Sequence, residues 1–153
     1  MIKKILLALL LMFPLLAVAK PITVGVDIYP SGTMRVLVGV ADEGVADFMV
    51  DTGASGILMP EKVMKDLVKR HKAKKVGEEK SGVADGRELM VDLYEISEVN
   101  LMGVCKIPKV IVSSFRGSDN SMFLLGMDVL SRVSPFTVDT QKKTITFECK
   151  TDG

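Results

Sequence analysis

A mostly β single domain with one or two short helices is the fold class that this sequence predicts. Runs rich in Val, Ile, Thr and Phe recur along the chain with apolar residues at alternate positions, and Gly-, Asp- and Pro-containing turns separate them. Only two stretches space their apolar residues as a helix does. Hydrophobic residues make up 48% of the chain and charged ones 25%, with 13 Gly and 6 Pro, which suits a globular domain with a real core rather than a disordered or collagen-like chain.

The first nineteen residues stand apart. Lys3 and Lys4 form a positive start, Ile5 to Leu16 are almost wholly apolar, and Ala17-Val18-Ala19 supplies a small-x-small cleavage site. The apolar run is short for a membrane span, so residues 1–19 read as a cleaved secretory signal and not as a stable membrane anchor. Residues 20–153 are then the exported domain, periplasmic or secreted. The signal takes away two of the 20 basic residues and none of the 19 acidic ones, which leaves a net charge of −1.

Met34 to Val40 carries β-branched residues at alternate positions, Asp42-Glu43-Gly44 makes a turn, and Val45 to Val50 runs back, which is a hairpin pattern. Ile57-Leu58-Met59 is a further apolar stretch. Pro60 suits the first position of a helix, Glu61 places negative charge in its first turn, and Val63, Met64, Leu67 and Val68 follow at helical spacing. Lys69 to Lys80 is strongly charged and reads as the end of that helix followed by a solvated loop. Ser81 to Glu88, with Gly82 and Gly86, reads as the mobile tip of a hairpin whose returning strand is Leu89 to Ile96. Val99 to Val104 and Ile107 to Val112 continue the β pattern. Met122 to Leu125 runs into Gly126, Met127 to Val133 forms a short helix, and Phe136–Val138 with Thr144–Phe147 makes a closing hairpin.

Several functions are excluded early. A net charge of +1 over the whole chain offers no footprint for nucleic acid, and the basic run Lys69 to Lys75 reads as a solvated surface. One His and no His/Cys cluster at ligand spacing argue against a metal site, and nothing calls for a cofactor. Cys105 and Cys149 could pair within the chain, pair between chains or stay free; neither sits where a reactive thiolate would be favoured.

The segment that carries chemistry is Phe48-Met49-Val50-Asp51-Thr52-Gly53-Ala54-Ser55. An apolar strand delivers a carboxylate into a glycine turn with a hydroxyl beside it. Alone, Asp51-Thr52-Gly53 is equally a turn after a strand. The glycine-tipped hairpin Gly82-Val83-Ala84-Asp85-Gly86 and the later Leu124-Leu125-Gly126-Met127, with Leu130, give it context. In this order and spacing the chain resembles the retropepsin family of aspartic proteases, especially its bacterial exported members, over nearly all of residues 20–153.

That resemblance implies a single-lobe acid-protease fold, a closed barrel-like β domain that works as a two-fold homodimer. Each subunit would supply one catalytic Asp51 in the turn Asp51-Thr52-Gly53. Thr52 would bond across the two-fold axis, and Gly53 would let the backbone approach substrate. Ala54, Ser55, Val83, Ala84, Asp85, Gly86 and Leu124 would line the site for an extended peptide, with the segment Val83 to Gly86 as a flap. Thr144 to Phe147 would join a dimer sheet. Length agrees, since residues 20–153 have room for one lobe and not two. A second Asp-Thr pair, Asp139-Thr140, has Gln141 in place of the glycine and reads as a turn; Asp128 reads as helix-start charge. Ala54 cannot donate the hydrogen bond that a serine there would give, which implies a mildly acidic optimum. Met127 stands where retroviral members carry an Arg that ties the dimer together, which implies weaker or different subunit contacts. The rival reading is a dimeric peptide-binding module of the same fold that does not cleave.

Overall fold

In the computed structural model, which describes residues 20–117 and 121–150, a six-stranded barrel carries two short helices and a small terminal sheet. The expected signal segment, residues 1–19, lies outside the described residues. Strands β1 (Pro21–Gly25) and β2 (Asp27–Ile28) lead to the hairpin β3 (Met34–Val40) and β4 (Gly44–Val50). Then follow β5 (Ile57–Leu58), α1 (Glu61–Lys69), β6 (Ala73–Gly82), β7 (Glu88–Leu101), β8 (Cys105–Phe115), β9 (Leu124–Leu125), α2 (Met127–Arg132), β10 (Phe136–Asp139) and β11 (Thr144–Glu148).

The barrel wall runs β3-β4-β9-β5-β8-β7, and Val38 to Val40 of β3 pair with Val99 to Leu101 of β7 to close it. Closure removes the free edges of those six strands. Alternation decides what faces inward. Val36, Val38 and Val40 of β3 are buried while Leu37 is exposed, and Phe48, Ile57, Ile96, Val110, Val112 and Leu125 are among the residues that share the core with them. Phe48 meets Phe123 edge-on, with ring centroids 5.1 Å apart. Helix α1 begins just after Pro60 and buries Met64 and Leu67, its two core-facing residues; Val63 packs half-buried beside them.

Two expectations need correction. Helix α1 does end at Lys69, but the solvated loop expected up to Lys80 is wrong: from Ala73 the chain is strand β6, paired antiparallel with β7 over Ala73–Gly82 with a bulge at Lys75/Gly77. Its apolar alternation is missing because it is an edge strand whose charged side chains face water, so only the pairing with β7 reveals it. Leu89–Ile96 and Val99–Val104 are one strand, β7, which ends at Leu101; the turn after it needs the left-handed residues Met102 and Gly103. Strand β11, expected to help build a dimer sheet, lies between β1 and β10 of its own chain, so among the described residues the open edges of this small sheet are those of β1 and β10. Register explains its central place: Ile22, Phe147 and Phe136 align on the core face, as do Val24 and Ile145, whereas Val138 opposite Ile145 is exposed.

The cysteines are joined within the chain. Cys105, at the start of β8, is linked to Cys149 just after β11, with Cα atoms 5.6 Å apart. This ties the terminal sheet to the barrel and resolves the choice that the sequence leaves open.

Candidate active site

Asp51 is the first residue after β4, and the strand order explains its setting. Short strand β9 lies parallel to β4, with Met49 opposite Leu124 and Val50 opposite Leu125, and also pairs with β5 through Leu58. Two chain crossings therefore meet beside Asp51. Its N–H donates to the Leu125 carbonyl at 3.0 Å, and its Oδ1 accepts from the Gly53 N–H at 2.8 Å. The Ala54 N–H closes the turn on the Asp51 carbonyl at 3.2 Å.

The far side of the loop is held as firmly. Met127 N–H donates to the Ala54 carbonyl at 2.9 Å and Asp128 N–H to the Ser55 carbonyl at 2.8 Å. The first amides of α2 are thus satisfied by the loop carrying Asp51, where a helix start otherwise leaves donors unpaired. Gly126 makes this fit possible, since a Cβ there would lie 2.3 Å from the Gly56 carbonyl oxygen and 2.6 Å from that of Ala54. The glycine is required by close approach of backbone to backbone. That requirement is invisible along the sequence, where Gly126 reads only as the end of a strand.

The site residues expected from sequence fall into two groups. Asp51, Gly53, Ala54, Ser55 and Leu124 are brought together in this one hydrogen-bonded knot. Thr52 and Gly53 are exposed at its tip, Asp51 and Ala54 half-buried, and the Thr52 side chain makes no hydrogen bond within the described residues. Val83, Ala84, Asp85 and Gly86 form a separate group at the tip of the β6–β7 hairpin, where their hydrogen bonds close on that hairpin. Val83 N–H donates to Arg87 O and Gly86 N–H to Val83 O, both at 2.9 Å. Gly86 has φ +85°, the left-handed residue that a three-residue hairpin loop needs. Gly82 is an ordinary strand residue. Asp85 is paired with Arg87, and that side-chain bond holds its carboxyl below the usual range. Asp139 does sit at a turn, accepting from the amides of Gln141 and Lys142, which agrees with its reading as structural.

Among the described residues no group of three or more His, Cys, Asp or Glu could hold a metal ion. A concavity lined by Val24, Asp27, Arg35, Leu37, Val45 and Asn100 lies beside the exposed Leu37 and Val45 of the β3–β4 hairpin and includes no residue of the Asp51 loop.

A barrel that presents one Asp-Thr-Gly turn, buttressed by a Leu-Leu-Gly strand and a short helix, is one lobe of an acid protease. The family model described as "gag-polyprotein putative aspartyl protease" matches residues 36–132, and the chain belongs to that family of aspartic endopeptidases. A retropepsin-like aspartic protease from Rickettsia conorii shares the fold with a TM-score of 0.60 at 20% identity, over 85% of this chain and 93% of that one. EIAV protease, solved with the inhibitor HBY-793, is similar with a TM-score of 0.51 at 18% identity, over 63% of this chain and 84% of that one. Comparison with curated protein sequences gives no match.

Proposed function

We propose that this chain is an exported, homodimeric aspartic endopeptidase in which each subunit contributes one Asp51 to a shared dyad. The observation that carries the reading is the Asp51 knot: a carboxylate bonded by the Gly53 N–H, on a loop whose backbone is held by Leu125 and the α2 start, with Thr52 and Gly53 exposed at its tip. A single lobe offers one such carboxylate, so the second comes from a second copy. Two carboxylates held a few ångströms apart do not both ionise readily, and the pair keeps one proton between them. The ionised member takes a proton from water as the water oxygen attacks the peptide carbonyl. The protonated member donates to the carbonyl oxygen. As the tetrahedral intermediate collapses, the C–N bond breaks and a proton passes to the departing amine.

In this reading Thr52 bonds across the two-fold axis, and Val83 to Gly86 close over an extended peptide held partly by main-chain hydrogen bonds. The leader-like residues 1–19 and the Cys105–Cys149 bond both favour an oxidising compartment outside the cytosol. The intrachain bond removes an interchain disulfide as the dimer tie, and β11 offers no open edge, so subunit contacts rest on other surfaces.

The test is cleavage of a peptide library by wild type beside Asp51→Asn, from acidic to neutral pH and over a range of protein concentrations. We expect turnover by wild type with a mildly acidic optimum, specific activity that rises with concentration, and a loss of at least about 10²–10⁴-fold in the variant. A folded dimer that binds peptides but cleaves none would replace this reading with that of a binding module.

A further inference from the structure

The β6–β7 hairpin outruns the barrel wall at a definite line. Strand β8 stops at Phe115, paired with Val91, whereas β6 and β7 continue as Lys80↔Met90, Ser81↔Leu89 and Gly82↔Glu88 with no third strand beside them among the described residues. A two-stranded ribbon is marginally stable by itself, so its stance depends on how its root is held.

Arg116 stands on that line. Its N–H donates to the Met90 carbonyl at 3.1 Å, the last main-chain tie before the ribbon becomes free-standing. Its guanidinium donates from Nε to Asp92 Oδ1 at 3.2 Å, and from Nη2 to both Asp92 and Glu78. Glu78 and Asp92 are directly opposed across β6 and β7, where like charges repel. Asp92 is also buried, which makes an unpaired charge there costly. Lys75 adds a second cation, 2.9 Å from Asp92 and 3.5 Å from Glu78. From α1, Glu61 acts on Asp92 and is itself paired with Lys65 at 3.0 Å, and the buried Tyr94 lies two residues along β7 from Asp92. On its other side Arg116 leads into Gly117, whose backbone is bonded by Glu61, and the chain then proceeds to the Leu124–Gly126 segment that holds Asp51.

We propose that Arg116 is a positioning residue for the flap: it clamps both strands at the hinge where the hairpin leaves the barrel and so sets the stance of residues 80–90. The consequence for substrate rests on the endopeptidase reading above; the clamp itself does not. Hydrogen bonding to Arg116 holds the Asp92 and Glu78 carboxyls below their usual range, so the clamp persists at mildly acidic pH. It fails only when stronger acid protonates them.

The experiment compares wild type, Arg116→Gln, Arg116→Lys and Glu78→Gln, each expressed from the full chain, by amide hydrogen exchange and by peptide kinetics. Loss of a charge-assisted clamp should speed exchange in residues 80–90 of Arg116→Gln by about tenfold while residues 107–112 in β8 are unchanged. KM for a peptide that wild type cleaves should rise about fivefold, with kcat within about twofold. Arg116→Lys should recover part of both effects, because it restores charge without the fork. Exchange in 80–90 equal to wild type, or increased by the same factor as in β8, overturns the proposal. Should Arg116→Gln fail to fold, Glu78→Gln removes one arm only, and an unchanged exchange rate in 80–90 there overturns it as well. If wild type cleaves no peptide, the endopeptidase reading fails while the exchange data still decide the clamp.

Discussion

Adding one methyl group at Gly126 is the sharpest test of how the Asp51 loop is built. A Cβ at this position would lie 2.3 Å from the Gly56 carbonyl oxygen, 2.6 Å from the Ala54 oxygen and 3.0 Å from the Ala54 carbonyl carbon. All three are backbone atoms, so no side chain can rotate away, and relief requires the 54–56 loop and the start of α2 to separate. That separation breaks the Met127–Ala54 and Asp128–Ser55 hydrogen bonds. At about 1 kcal/mol each, with about 1–3 kcal/mol for forcing extra volume into a packed site, Gly126→Ala should cost about 3–5 kcal/mol. For a domain of this size that lowers Tm by roughly 10–20 °C. Thermal unfolding followed by circular dichroism reads the shift, with Gly82→Ala as a control, since a Cβ there meets nothing within 4 Å. A Gly126→Ala protein melting within about 2 °C of wild type, a shift too small for the worked cost, would refute the packing argument.

Two further outcomes follow from the covalent and charged ties. Replacing Cys105 and Cys149 together by Ser frees a loop closed over a separation of 44 residues and should cost roughly 4 kcal/mol, measured by urea unfolding; non-reducing electrophoresis of wild type should show no covalent dimer. Acid should destabilise the fold in a defined window. Glu43 (bonded by Arg70), Glu61 (by Lys65), Glu78 and Asp92 (by Arg116), Asp85 (by Arg87) and Asp139 (by the Lys142 amide) all have carboxyls held below their ordinary values of 3.8 for Asp and 4.5 for Glu. A depressed native value means that the stabilisation is complete above the unfolded value and disappears as pH falls through the native one. Tm should therefore hold level from neutral pH to about 5 and drop below about 4; a steady decline beginning near neutrality would contradict this assignment.

Most strands were legible because their signals are local. The alternation in Met34–Val40, the turn at Asp42–Gly44, the helical spacing of Met64 and Leu67 and the closing hairpin each depend on residues a few positions apart. The Asp51-Thr52-Gly53 turn was legible for the same reason, and its order relative to Leu124-Leu125-Gly126 pointed to the family before any contact was known. Strand β6 was not, since its lysines and glutamates hide the pattern and its partner β7 supplies the order. Strands β1 and β2 were likewise silent: β1 is defined by its pairing with β11 at the other end of the chain, and β2 has only two residues, too few to show a period.

By itself, then, the sequence determined a mostly β domain, its candidate carboxylate and the turn that presents it. Tertiary structure alone decided barrel closure through β3 and β7, the intrachain disulfide, the enclosed position of β11, the need for glycine at 126 and the Arg116 clamp. The physical reason is common to all five: each is a meeting of segments distant in the chain. The geometry of such a meeting is set by how the whole core packs, and neighbouring residues carry no record of it.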